Sequence, residues 1–422
     1  MRDTDFKFLT TLIFLLFGGI SGSGGEKNGV TSDKTVAVYP AISAKAMANP
    51  GKGWVAYGKA ENQSKAAAVL NQENLVFTAG ENGYSCFRAP SMVVTPGGTI
   101  LVFSEGRVNS SADEGDIDIV MKRSTNNGKN WTAIQVIEND GPNPCKNQCP
   151  VVLPNGRILL VWLWNKSISS ERERTTREVY YTYSDDEGKT WVKSKNITSS
   201  VYRPDWGWSG MGPCHGIVKT FEPHKGRIII PSRHEEKRSF SHVIYSDDNG
   251  ETWQIGGSAL RNQTTESTVV ELSDGSIMLN SRNGRDGEQF RMISLSHDGG
   301  QTFYSTTACQ QLNEPTCQGV LLRHSIHPET GQAILLFSNP DSSEKSVRVN
   351  GTIRVSNNNG INWTKSYRYS QPAPAFSGYS DLALMPDGQD VAVVYESGKH
   401  YKKGLRYDGI AFHIVKKECI KK

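Results

Sequence analysis

The chain has 422 residues, with 47 Lys and Arg against 43 Asp and Glu, for a net charge of +4. Its 36 % apolar content excludes a disordered chain, and the small positive excess excludes a dedicated nucleic-acid binder. The length suffices for one large domain or two to three ordinary ones.

At the N-terminus, Arg2 and Lys7 flank an apolar stretch, Phe8 to Ile20, too short to span a bilayer comfortably. The small residues Ser21 to Gly24 follow, as a signal-peptidase site requires. Residues 1–24 therefore read as a secretory signal peptide, and the product as secreted or otherwise extracytoplasmic, extracellular or periplasmic. No later run is long and apolar enough for a transmembrane segment. Residues 25–75 read as a segment leading into a domain that occupies 76–422.

The seven cysteines are Cys86, Cys145, Cys149, Cys214, Cys309, Cys317 and Cys419. An odd number outside the cytosol leaves at least one thiol free. Cys145 with Cys149 and Cys309 with Cys317 could close loop disulfides; buried free thiols are an equal alternative. The histidines show no matching ligand spacing, so neither a metal site nor a cofactor is expected.

From residue 124 onward an octapeptide recurs five times, as STNNGKNW at Ser124, SDDEGKTW at Ser184, SDDNGETW at Ser246, SHDGGQTF at Ser296 and SNNNGINW at Ser356. Its Asp or Asn can bond backbone amides, its Gly suits positive φ, and its aromatic can plug beneath the turn. Each copy follows a strand-like segment such as Ile117 to Lys122 or Val179 to Tyr183. A second motif, a turn followed by an apolar strand, recurs six times around Gly98, Gly156, Gly226, Gly275, Gly331 and Gly388. The chain then ends with one more strand-like run, Gly409 to Val415. Six such strands and five octapeptides predict an all-β fold, a six-bladed β-propeller with five octapeptide turns, whose termini share the last blade.

Other segments carry chemistry. They are Phe87-Arg88-Ala89-Pro90, Phe103-Ser104-Glu105-Gly106-Arg107, Ala112-Asp113-Glu114-Gly115-Asp116, Thr265-Glu266-Ser267, Ser281-Arg282-Asn283, Glu314-Pro315-Thr316-Cys317-Gln318-Gly319, Arg348-Val349-Asn350, Gly378-Tyr379-Ser380-Asp381 and Tyr395-Glu396-Ser397. In this order, and with the octapeptides (Asp boxes), the chain closely resembles the exo-α-sialidases, or neuraminidases, from about residue 80 onward. Phe-Arg-Ala-Pro resembles that family's [FY]-R-I-P motif, departing at Ala89.

The resemblance implies a secreted retaining glycosidase that removes terminal sialic acid from glycoproteins, glycolipids or oligosaccharides. Sialic acid bears a carboxylate on its anomeric carbon, and arginine forks hold such a planar anion best. The implied triad is Arg88, Arg282 and Arg348, each expected at the end of an inner strand, with Glu396 holding Arg88 and Arg107 lining the pocket. A carboxylate nucleophile would be repelled by the substrate's own carboxylate; a phenol avoids this, and sialidases depart from the usual carboxylate pair in this way. Tyr379 matches that nucleophile, Glu266 its base and Asp113 the general acid/base, with Glu114 and Asp116 as near rivals. Two alternatives remain open: a trans-sialidase, with acceptor platforms among Trp162, Trp164, Trp206 and Trp208, and a non-catalytic glycan-binding propeller.

Overall fold

A computed structural model describes residues 74–167, 177–284, 288–401 and 404–420. The expected signal peptide, and all but the last two residues of the 25–75 segment, lie outside the described residues. The sheets form a six-bladed β-propeller. Blade 1 comprises Cys86–Val94, Ile100–Arg107, Ile117–Ser124 and Gln135–Glu138, from the axis outward. Blade 2 comprises Cys145–Val152, Ile158–Asn165, Arg177–Ser184 and Lys195–Asn196. In blade 3 the innermost place is shared by Ser209–Met211 and Ile217–Val218, followed by Ile228–Glu235, Ser239–Ser246 and Gln254–Ser258. Blade 4 has Thr264–Glu271, Ile277–Asn283, Phe290–Ser296 and Ser305–Asn313; blade 5 has Val320–Ile326, Ala333–Pro340, Gly351–Ser356 and Lys365–Arg368. Blade 6 closes the ring: Ser380–Leu384, Val391–Tyr401 and Gly404–Val415 are completed by Asn74–Thr78 from the other end of the chain.

The apolar strands after the six recurring turns are the second strands of the blades, and their packing explains why they are apolar throughout. In blade 2, Ile158, Leu160 and Trp162 pack against Leu101, Phe103 and Met121 of blade 1. The alternate residues Leu159, Val161 and Leu163 pack against Ile228, Ile230 and Ile244 of blade 3. Successive side chains point to opposite faces, and both faces meet a neighbouring blade, so no position can be polar without cost. Each such side chain contributes about 1.5–3 kcal/mol on full burial.

The five octapeptides join the third and fourth strands of blades 1 to 5, and all five use one hydrogen-bond pattern. In blade 3, Ser246 Oγ accepts the Gly250 amide at 2.9 Å, while Asp248 Oδ1 accepts the Thr252 amide at 2.9 Å. The Ser–Gly bond recurs at 2.9, 2.8, 2.9 and 2.9 Å in the other four. Gly128, Gly188, Gly250, Gly300 and Gly360 all have φ between 75° and 91°, the left-handed region the turn requires. Trp253, Phe303 and Trp363 are buried beneath their turns. Blade 6 has no octapeptide because its outer strand arrives from the N-terminal side.

All seven cysteines are free thiols, so neither loop disulfide forms. Trp162 and Trp206 are core residues, 4 % and 5 % exposed, and offer no platform; Trp164 and Trp208 are half-buried. Among the described residues no helix is long and apolar enough to cross a membrane.

Candidate active site

First and second strands of a blade are antiparallel, so the N-terminal end of one lies beside the C-terminal end of the other at the same face. Arg88 lies near the start of the innermost strand of blade 1, and Glu266 near that of blade 4, while Tyr379 immediately precedes that of blade 6. Arg107 and Arg282 lie at the far ends of second strands. Arg348 sits in the loop before Gly351–Ser356, held by a bridge between Val349 and Phe376. The expectation that each triad arginine ends an inner strand is therefore corrected: only Arg88 is on an innermost strand, and the antiparallel return brings the others to the same face.

Bulges shape this face. The register shifts between Arg88 and Ser91, between Lys146 and Cys149, and between Thr264 and Ser267, at the same level of blades 1, 2 and 4. A bulge twists the strand and re-aims side chains. Ala89 and Asn147 adopt φ of 49° and 54° within the first two, a conformation that costs a residue with a Cβ. The payoff is that the turned amides reach carboxylates: Ala89 N donates to Glu396 Oε1 at 3.0 Å, and Asn147 N to Glu105 Oε1 at 3.0 Å.

Tyr379 is the focus of the site. Its hydroxyl donates a short hydrogen bond to Glu266 Oε1, and Arg282 Nη1 donates to the same hydroxyl at 3.3 Å and to Glu266 Oε2 at 2.5 Å. The Arg88 and Arg348 guanidiniums lie 5.6 and 5.2 Å from the Tyr379 ring centre. The structure thus brings Arg88, Arg282, Arg348, Glu266 and Tyr379 together. Glu396, wholly buried, accepts Arg88 Nε at 3.1 Å and the Tyr379 amide at 3.0 Å, so one carboxylate positions both. A Cβ at Gly378 would fall 2.0 Å from Glu396 Oε2, so only glycine fits there.

The electrostatics of the ligand-free site set Glu266 as a carboxylate and Tyr379 as a neutral phenol. Burial penalises the Glu266 charge, but Arg282 and Arg233 outweigh it and hold the carboxyl down at about 2. Burial and the Glu266 charge push the Tyr379 phenol well above its ordinary value, against the opposing pull of Arg282, Arg348 and Arg88. A base is therefore ionised beside a phenol that cannot ionise by itself.

Asp113 stands across the cleft with a side chain 75 % exposed, donated to by Arg107 Nη1 at 2.8 Å and Arg88 Nη1 at 3.2 Å. Partial desolvation by the cleft walls opposes its charge, yet these two arginines shift it below the ordinary carboxylate range. Arg107 also pairs with Glu105 and donates to the carbonyls of Ser111 and Ala112 at 2.6 and 2.8 Å, which fixes the loop carrying Asp113. Of the rivals, Glu114 is engaged by Lys146, Asn165 and Arg177, and Asp116 has a buried oxygen with no partner. Neither reaches the triad as Asp113 does.

Sequence reasoning assigned no role to the polar residues that close the axis beneath Tyr379. Asp381 accepts the Met92 amide of blade 1 at 2.9 Å and the His215 amide of blade 3 at 3.0 Å, and its other oxygen lies 2.6 Å from His215 Nδ1. Gln318 of blade 5 bridges Pro213 O and Ser380 O at 2.9 and 3.0 Å. These bonds fix the strand start that carries Tyr379. A signal was present, a polar residue beside apolar strand positions, but its partners are distant in sequence. At the opposite mouth of the axis a cavity of about 790 Å³ lies between the Thr95–Pro96, Leu153–Pro154 and Met385–Pro386 turns, with no carboxylate in its lining.

Fold and site together define a six-bladed propeller in which three arginines surround a tyrosine whose hydroxyl donates to a carboxylate. A family model described as a BNR repeat-like domain matches residues 98–393. The chain is 32 % identical over 354 residues to a sialidase of Micromonospora viridifaciens, covering 78 % of this chain and 52 % of that one. It is 29 % identical over 343 residues to a sialidase of Bacteroides fragilis, covering 76 % and 61 %. A solved Hadza microbial sialidase superposes with a TM-score of 0.71 at 29 % identity, over 82 % of this chain and 68 % of that one. An intramolecular trans-sialidase from Ruminococcus gnavus, 17 % identical with a TM-score of 0.69 over 82 % and 98 % of the two chains, shares the fold. The chain belongs to the sialidase family of BNR-repeat propellers. It spans about half to three fifths of the length of these two curated relatives.

Proposed function

We propose that this protein is a secreted, retaining exo-α-sialidase that hydrolyses terminal sialic acid from glycans through a tyrosyl intermediate. The observation that carries this reading is the convergence of three arginines on one tyrosine, Arg282 at its hydroxyl and Arg88 and Arg348 over its ring, with that hydroxyl donating to a buried glutamate. Arg88, Arg282 and Arg348 hold the substrate carboxylate. Arg348 has no carboxylate of its own within 4 Å among the described residues and donates only to Thr316 O at 3.1 Å, so it is free to take that anion.

Glu266 takes the phenolic proton as Tyr379 Oη attacks the anomeric carbon. The bond to the leaving oxygen breaks, and Asp113 supplies that oxygen with a proton. Water, deprotonated by Asp113, then attacks the anomeric carbon as its bond to Tyr379 Oη breaks; Glu266 returns the proton to the departing phenolate, and the original anomer is restored. In the ligand-free site Asp113 is a carboxylate paired with Arg88 and Arg107. The incoming substrate carboxylate competes for Arg88, weakening that pair and raising the affinity of Asp113 for the proton it must deliver.

Incubation with a fluorogenic sialoside and with α2,3- and α2,6-sialyllactose, with and without lactose as acceptor, tests the reading. Release of free sialic acid, undiverted by lactose, is expected; no turnover of any sialoside would overturn it. Secretion is tested separately, by N-terminal sequencing of protein recovered outside the cytoplasm, expected to begin near residue 25.

A further inference from the structure

The substrate carboxylate accounts for the unneutralised charge at Arg348, but the cleft holds a second, only loosely compensated cation. Arg233, near the end of the second strand of blade 3, makes no side-chain hydrogen bond among the described residues, and its nearest carboxylate oxygen, Glu266 Oε1, is 3.9 Å away. Its Nε is buried with no partner, while the side chain as a whole keeps 12 % exposure. A guanidinium in this position lacks the hydrogen bonds that normally offset its desolvation.

The surroundings are built around that guanidinium. Its carbon lies 3.8 Å from the ring centre of Trp208, and Arg177 stacks on the same indole at 4.0 Å. Gly210 makes room, since a Cβ there would fall 2.7 Å from Arg233 Nε. Arg177 is itself only loosely compensated, donating to Glu114 at 3.4 Å and to Ser209 O at 3.2 Å. Burial and the neighbouring Arg233 charge pull Arg177 down to about 9, and burial lowers Arg233 too. Two guanidiniums on one half-buried indole, with Glu114 at 3.4 Å from Arg177 and Glu266 at 3.9 Å from Arg233 as their carboxylates, favour an added anion.

The geometry points to Arg233, flanked by Trp208 and Arg177, as a second anion subsite that favours sialosides bearing a further negative group close to the scissile bond. This deepens the sialidase reading and rests on it. The group could be a sulfate ester or the carboxylate of a second sialic acid; both present a planar or tripodal oxyanion that a guanidinium fork binds.

The test compares kcat/KM for sialyllactose, a disialyl oligosaccharide and a sulfated sialyl oligosaccharide, for the wild type, Arg233→Gln and Arg233→Lys. The wild type should favour at least one charged substrate over sialyllactose by about tenfold, the scale of one charge-assisted contact. That preference should shrink in 0.5 M salt, survive in part in Arg233→Lys, and vanish in Arg233→Gln. Preference for the sulfated substrate alone assigns the site to sulfate esters; preference for the disialyl substrate alone assigns it to a second carboxylate. Equal kcat/KM on all three in the wild type, or an unchanged preference in a folded Arg233→Gln, would overturn the inference while leaving the sialidase reading intact. Turnover of none of them would overturn both. The wild-type ratio and its salt dependence decide the matter even if a variant fails to fold.

Discussion

The outer rim and the catalytic face of this propeller solve opposite problems with the same kinds of residue. On the rim, Asp186, Asp248 and Asp298 each accept a backbone amide and a threonine hydroxyl four residues on, within one turn, and the arrangement repeats from blade to blade. On the opposite face the strand bulges recur but the side-chain pairings do not. Glu266 of blade 4 meets Tyr379 of blade 6, Glu396 of blade 6 meets Arg88 of blade 1, and Asp113 meets Arg88 and Arg107 across its own blade. Local bonds hold the rim together, whereas on the face, among the described residues, Arg348 has no carboxylate within 4 Å and Arg233 has only Glu266 at 3.9 Å. A carboxylate alone therefore indicates no role; whether its partners are local or distant does.

That contrast sets an order of expected effects. The largest is at the nucleophile. Tyr379→Phe and Glu266→Gln should each lower kcat/KM on sialyllactose by about three orders of magnitude or more, because attack and activation act as a unit. Circular dichroism should show the propeller intact; comparable activity in either variant would move the chemistry elsewhere.

Next comes the acid. Asp113→Ala should lose far more activity on sialyllactose, whose leaving group needs a proton, than on an activated aryl sialoside. Equal losses would transfer the role to another group, with Glu114 and Asp116 the first to examine.

A smaller effect concerns pH. The folded pKa of Glu266 is depressed, so its contribution to stability is fully present above its ordinary value of 4.5 and is lost as pH falls toward about 2. Thermal unfolding followed between pH 5 and 3 should show a falling Tm, and Glu266→Gln should flatten part of that fall. An identical slope in the variant would contradict the strong coupling of Glu266 to Arg282.

The smallest effect is at the rim. Asp248→Ala removes bonds to Thr252 and Ser246 and should cost about 1–2 kcal/mol, a few degrees of Tm at most. The kcat/KM should be unchanged. A matching loss of catalysis would show that the rim turns shape the site, and the division between the two regions would fail.

The same contrast explains what was legible in the sequence. The rim could be read directly, since five copies of one turn and six apolar strands announce their period, and closure by Asn74–Thr78 follows from the missing sixth octapeptide. The site was legible only through resemblance, because Arg88, Arg282, Arg348 and Tyr379 occupy four blades and share no spacing. Even then, the placement of Arg282 and Arg348 on inner strands was mistaken, as sequence order does not say which strand end reaches the face. Asp381 and Gln318 went without a role, and so did Arg233, since a charged residue in a strand looks the same whether its partner is present or absent. Asp113 and Glu114 are adjacent in sequence and both acidic; in the structure Arg88 reaches the first and Lys146 the second.

The most direct test of the central claim, that Tyr379 is the nucleophile, is covalent trapping. A 3-fluorosialyl fluoride should slow turnover of the glycosyl-enzyme, and peptide mass spectrometry of the digested protein should then find the adduct on Tyr379. Labelling should be absent in Tyr379→Phe. An adduct on Glu266, or a β-anomer as the first-formed product when sialyllactose hydrolysis is followed by NMR, would contradict the tyrosyl mechanism.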